Sequence, residues 1–167
     1  QHGPHPVMDS VDRPVVGTRA GAGPPVADYF KRNRAICDRH GVLLILDEVM
    51  CGIGRTGTLH ACEQEGISPD LMTIAKGLGG GYAPLSAMIC RKSIAYVFWG
   101  PIASNPGFVE GHTFEGNPIS CAAGLAVLRE ILDRDLCGNA RAMGARLRAG
   151  LERQIPGALA AGATPRE

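Results

Sequence analysis

Val42-Leu43-Leu44-Ile45-Leu46 runs directly into Asp47-Glu48. An unbroken apolar run of strand length is the pattern of a strand covered on both faces in a parallel sheet, where alternation is not needed. Two acids at its end put charge at a strand's carboxyl terminus, the place where ligands gather in open α/β sheets. Upstream, Val26 to His40 carries Tyr29, Phe30, Ala35 and Ile36 roughly on one helical face. Asp28 near the start and Gly41 as a C-terminal stop complete a helix signature.

Downstream, a glycine-punctuated loop (Cys51 to Gly57) is followed by a short helix predicted over Leu59 to Glu65. Pro69-Asp70 then introduces the strand-like Leu71-Met72-Thr73-Ile74, with Lys76 just beyond it. The tract Gly77-Leu78-Gly79-Gly80-Gly81 is too glycine-rich for any regular element, and Leu85 to Cys90 reads as a third strand whose start is marked by Pro84. A long helix is expected from Pro118 through Ala122, Ala123, Leu125, Ala126, Leu128 and Ile131, and another from about Asn139 to Gln154. This succession is the grammar of an α/β fold, an open and mostly parallel sheet with flanking helices. Residues 1–25, crowded with Pro and Gly, read as an irregular entry segment with one short strand near Val15. Residues 26–135 form the sheet unit, 136–154 a helix leading away from it, and 155–167 an Ala/Gly/Pro tail expected to be disordered.

The charge balance, 17 basic against 16 acidic residues, leaves no broad positive surface for a nucleic acid or an anionic membrane. At 45% hydrophobic residues the chain can fill the core of one domain. Cys37, Cys51, Cys62, Cys90, Cys121 and Cys137 are scattered without a C-x-x-C pair, so they read as core fillers, with neither a metal site nor a disulfide framework implied. The longest apolar run is too short to cross a bilayer and no charged-then-apolar leader is visible, so a reducing, cytoplasmic setting is expected.

Two residues could carry chemistry. An acid placed after a buried strand is costly without a partner. A protonated pyridine nitrogen would satisfy Asp47 and keep the ring an electron sink; a turn cap or an arginine partner would serve as well. Lys31, Lys76 and Lys92 are the lysines of the chain. A lysine buried at the strand end, as Lys76 is expected to be, has a neutral amine that attacks an aldehyde to form a Schiff base and later carries a proton to and from the substrate. The alternatives are a solvated lysine at a loop edge, or a phosphate held by the Gly77–Gly81 backbone. That tract has neither Walker spacing nor G-x-G-x-x-G, which also disfavours a nicotinamide-dependent dehydrogenase.

Asp47-Glu48-Val49, Gly54-Arg55-Thr56-Gly57, Pro69-Asp70, Ala75-Lys76-Gly77 and Gly111-His112-Thr113-Phe114 occur in one order and at close spacing. In this set the sequence resembles the class III aminotransferases, fold-type I pyridoxal-phosphate enzymes, over approximately Arg13 to Arg153. The resemblance implies that residues 26–135 are part of a large domain binding pyridoxal 5'-phosphate. Lys76 is then the lysine bonded to the cofactor, Asp47 the partner of the pyridinium nitrogen, and Val49 the apolar side chain against one ring face. Thr113 would bind the cofactor phosphate from the neighbouring subunit of a homodimer. Glu48 stands behind the site, and Arg55 contacts substrate or holds its loop. The implied reaction moves an amino group from an amine or amino acid donor to an oxo acid or aldehyde acceptor. An aminomutase or decarboxylase of the same family, or a non-catalytic truncated α/β fragment, are the alternatives. Family members run to more than twice this length, with an upstream phosphate loop and a ring-stacking aromatic that are not found here. Arg13 stands before Pro14 where the family commonly has glutamate. A fragment without the small domain is therefore expected.

Overall fold

The apolar run that opens the reading becomes strand β4 (Leu43–Asp47), and the computed structural model describes residues 9–12, 16–18, 21–23, 25–98 and 111–154 around it. Strand β1 (Asp9–Asp12) pairs parallel with β4 on one side, and β5 (Leu71–Ile74) pairs parallel on the other. Strand β6 (Ala87–Cys90) adds antiparallel to β5, giving the order β1-β4-β5-β6. The open, mostly parallel sheet follows the expectation. A small antiparallel pair, β2 (Val16–Thr18) and β3 (Gly21–Gly23), stands apart from it.

Residues 1–25 therefore do more than an irregular segment would, because three short strands fall within them. Strands of three or four residues are too short to display a period, and β1 owes its conformation to pairing with β4, a tertiary effect that local sequence does not carry. The tail at 155–167 lies outside the described residues.

Helix α1 (Tyr29–His40) packs on β4. Its buried residues are Phe30 and Cys37, which join Leu44, Leu46 and Cys62 in one core cluster, whereas Tyr29 and Ile36 are 40% and 54% exposed. The apolar stripe read from Tyr29 and Ile36 is thus displaced around the helix, since the i, i+7 pair Phe30 and Cys37 faces the sheet. Gly41 ends the helix in the left-handed conformation, its amide donating to Cys37 O. Asp28 does not cap the start. Its carboxylate pairs with Lys31, and Glu65 Oε2 accepts from the Phe30 and Lys31 amides at 3.0 and 3.1 Å.

Along β4, Leu44 and Leu46 are fully buried while Leu43 is exposed and Ile45 half-buried. The strand is thus covered completely on one face only, the face that α1 packs against. Loop 48–60 leads to a short 3-10 helix, Ala61–Glu65, which begins two residues later than the helix expected from Leu59. The glycine tract also closes into a regular turn, Lys76–Gly79, through Leu78 N to Ala75 O and Gly80 N to Gly77 O bonds of 3.1 and 3.0 Å. Leu78, the one side chain the tract can bury, anchors that turn. Helix α2 (Lys92–Phe98) follows β6. Helix α3 (Pro118–Asp133) starts at Asn117, whose side chain accepts from the Ile119 and Ser120 amides, with Pro118 in the first turn. Helix α4 (Leu136–Gln154) begins a little earlier than the periodicity indicates. A second core cluster joins Met72 and Ile74 of β5 to Ile53, Leu78 and Ile131 of α3.

Candidate active site

Asp47 closes β4, opposite Thr73 of β5. The parallel pairing runs one residue further, with the Glu48 amide donating to Thr73 O at 2.9 Å. Lys76 stands three residues beyond Thr73, so the acid and the amine occupy the carboxyl ends of neighbouring parallel strands. Asp47 is half-buried, and its Oδ1 accepts from the Val49 amide at 3.0 Å, which fixes the carboxylate and folds the half-buried Val49 back beside it.

Lys76 has φ of 48°, a left-handed backbone that costs an L-residue on the order of 1 kcal/mol or more. Its side chain is exposed where burial was expected, because the neighbouring Gly77, Gly79, Gly80 and Gly81 offer no side chains to cover it. Among the described residues it has no hydrogen-bond or ion-pair partner. The other two lysines are engaged: Lys31 lies 3.2 Å from Asp28, and Lys92 sits over the Tyr96 ring at 5.1 Å.

Behind this edge lies a carboxylate that sequence reasoning placed only loosely. Glu48 is wholly buried; its Oε2 accepts from the Ala61 amide at 2.8 Å and from the Cys51 thiol at 3.3 Å, and its Oε1 from the Cys62 amide at 2.8 Å. These bonds meet the large desolvation cost of a buried charge and clamp both ends of the 51–60 loop to the end of β4. A Cβ on Gly52 would fall 2.7 Å from Glu48 O, so the loop can turn this tightly only with glycine there. Burial, with the Glu48 carboxylate beside it, pushes the Cys62 thiol up to about 12. Cys62 is a filler, not a nucleophile.

The same loop reaches the lysine turn. Ile53 is buried and also left-handed, with φ of 56°, and a Cβ on Gly77 would lie 3.1 Å from Ile53 Cβ. Arg141 of α4 donates to Gly57 O and so holds the far end of the loop, leaving the exposed Arg55 between these anchors.

Thr113 lies in the turn at 111–116 ahead of α3; it is exposed and hydrogen-bonds to none of Asp47, Val49 or Lys76. His60 pairs with Glu63 at 3.2 Å. Asp70 serves the scaffold: it is buried, accepts from the Leu44 amide at 2.8 Å, and pairs with Arg34 at 2.6 Å and Arg91 at 3.3 Å. Burial works against its charge, yet the Leu44 amide and the Arg34 guanidinium overcome that and hold its carboxyl below the usual range.

The sequence profile of the family described as Aminotransferase class-III matches residues 13–156. The chain belongs to the class III aminotransferases. Among relatives, this class III chain is 49% identical to an uncharacterized aminotransferase of Schizosaccharomyces pombe over 133 residues, 80% of the chain and 28% of that protein. It is 47% identical to an acetylornithine aminotransferase of Synechocystis over 131 residues, 78% of the chain and 28% of the relative. A Bacillus anthracis aminotransferase structure superposes with a TM-score of 0.83 at 35% identity, over 89% of this chain and 32% of that one. The ornithine aminotransferase of Toxoplasma gondii, solved with partial occupancy of PLP at its active site, gives 0.78 at 34% identity, over 89% and 33%. This class III chain thus spans about a third or less of each of these aminotransferases.

Proposed function

We propose that this chain forms the lysine-bearing part of a pyridoxal 5'-phosphate-dependent aminotransferase acting on a small-molecule amine or amino acid and an oxo acid. The observation that carries the reading is the pairing of an acid and a left-handed lysine, without a partner among the described residues, at the carboxyl ends of adjacent parallel strands, in a chain of this family. The donor set fits the cofactor, since a carboxylate suits a protonated ring nitrogen and a primary amine suits an aldehyde.

When bound, pyridoxal 5'-phosphate supplies an aldehyde that takes up amino groups and a cationic ring that draws electrons from the substrate Cα. Asp47 would accept a charge-assisted hydrogen bond from the protonated ring nitrogen and so keep the proton on the ring. Its rotamer is set in advance by the Val49 amide, and the Val49 side chain supplies apolar cover to a ring face. Lys76 would hold the cofactor at its aldehyde through the amine, and its Nζ would serve as the group that moves the proton at the substrate Cα. Thr113 serves the phosphate of a second subunit's cofactor in a homodimer, which agrees with its exposed hydroxyl in a turn ahead of a helix. Among the described residues no helix is long and apolar enough to cross a membrane.

The full protein incubated with pyridoxal 5'-phosphate is expected to show a visible absorbance band and to transfer the amino group of a donor amino acid to 2-oxoglutarate or pyruvate. Lys76→Ala is expected to abolish the band and lower transfer by at least about 1,000-fold, the scale set by losing a positioned acid–base group. A full band and unimpaired transfer in that variant would contradict the reading.

A further inference from the structure

We infer that Ile53 is a positioning residue for Lys76, acting as a wedge against Gly77 that fixes the left-handed turn on which the amine is carried. The inference rests on the reading of Lys76 as the cofactor-bonding amine. Both residues hold a conformation their side chains disfavour, φ of 56° and 48°, and a β-branched residue is especially costly there. Such conformations persist only where the surroundings over-determine them.

The surroundings here are specific. A Cβ on Gly77 would meet Ile53 Cβ at 3.1 Å and Cγ2 at 3.3 Å, so backbone and branched side chain are already in contact. From the other side α3 bears on the same turn: a Cβ on Gly80 would lie 2.7 Å from Val127 Cγ2, and one on Gly124 would lie 3.5 Å from Leu78 O and 2.4 Å from Leu85 Cδ2. The turn is therefore held between the 51–58 loop and α3, with a glycine at each close approach. The loop in turn is pinned by the buried Glu48 carboxylate and by Arg141, so Ile53 presses from a fixed base. An exposed lysine followed by glycines would otherwise sample many backbone states, and the wedge selects one.

Amide hydrogen exchange on the full protein tests this without reference to turnover. In Ile53→Ala the Leu78 and Gly80 amides, which close the turn, are expected to exchange at least about five-fold faster relative to α1 amides, which report global stability. Gly77→Ala, at a position outside the left-handed region, is expected to loosen the same amides because only the Ile53 contact opposes it. Ile53→Val retains Cβ and both γ carbons and is expected to match the unsubstituted protein, which keeps the test open if Ile53→Ala fails to fold. In parallel, borohydride trapping of pyridoxal 5'-phosphate on Lys76 is expected to fall about five-fold or more in the two loosened variants and to recover in Ile53→Val, with Lys31 and Lys92 unchanged. Turn exchange and Lys76 trapping that stay the same in Gly77→Ala and Ile53→Ala would overturn the inference. Label on another lysine in the unsubstituted protein would instead defeat the functional reading, and the exchange data would then decide the wedge alone.

Discussion

At the scale of single residues, Lys76 and Asp47 differ from their chemical kin by what surrounds them. Lys31 and Lys92 have partners that occupy their charge, whereas Lys76 has none among the described residues and sits on a strained backbone. Asp47 has its carboxylate oriented by the next residue but one. On the proposed function, Asp47→Asn removes the ionised acceptor while keeping the shape. Cofactor binding should weaken by about 1.5–3 kcal/mol, roughly ten-fold to 150-fold in Kd, the range for a hydrogen bond to a charged group. Titration of the full protein with pyridoxal 5'-phosphate checks it, and an unaltered Kd would argue for a turn-capping role alone. Motif order made these two positions legible. Glu48 and Ile53 were not legible in the same way: the backbone amides that Glu48 accepts from lie 13 and 14 residues on, and nothing local marks Ile53 as left-handed beside two glycines.

Among the elements, the two central strands, β4 and β5, came through the sequence best. Leu71 to Ile74 has the same bounds in the structure as in the reading, and the Val42–Leu46 run differs from β4 by one residue at each end. Short apolar runs bounded by Pro, Gly and acids leave little choice of conformation. The buried face of α1 was misjudged because Phe30 and Cys37 are chosen by the sheet they meet, and β1 because its four residues take their form from β4. What welds these pieces is Asp70, which ties Arg34 of α1, the Leu44 amide of β4 and Arg91 after β6 to the start of β5. Asp70→Asn removes the carboxylate that Arg34 and Arg91 share, leaving Arg34 with Asp38 at 2.8 Å and the more exposed Arg91 to solvent, and is expected to cost about 1.5–3 kcal/mol at pH 7, the range for a hydrogen bond to a charged group. The folded carboxyl titrates below its ordinary value. Its contribution is therefore complete above about pH 4, the unfolded value, and disappears as pH falls through the lower folded one. Urea denaturation at pH 7 and near pH 3 should show the two proteins differing most at neutrality and converging in acid; a constant difference would contradict the linkage.

Across the whole molecule, a sheet with two core clusters brings together residues far apart in sequence: Ile53 and Leu78 with Ile131, Phe30 with Cys62. Family membership was legible from five short motifs, each weak alone, because they occur in one order and at close spacing. The placement of Thr113 relative to the other site residues was not, since a turn exposed in one chain takes its role from what lies across from it. The proposed function requires the amine at position 76 to meet the cofactor's aldehyde. Incubating the full protein with pyridoxal 5'-phosphate, reducing with borohydride and mapping the modified peptide tests that most directly. The label is expected on Lys76; a label confined to Lys31 or Lys92, or to no lysine of this chain, would contradict it.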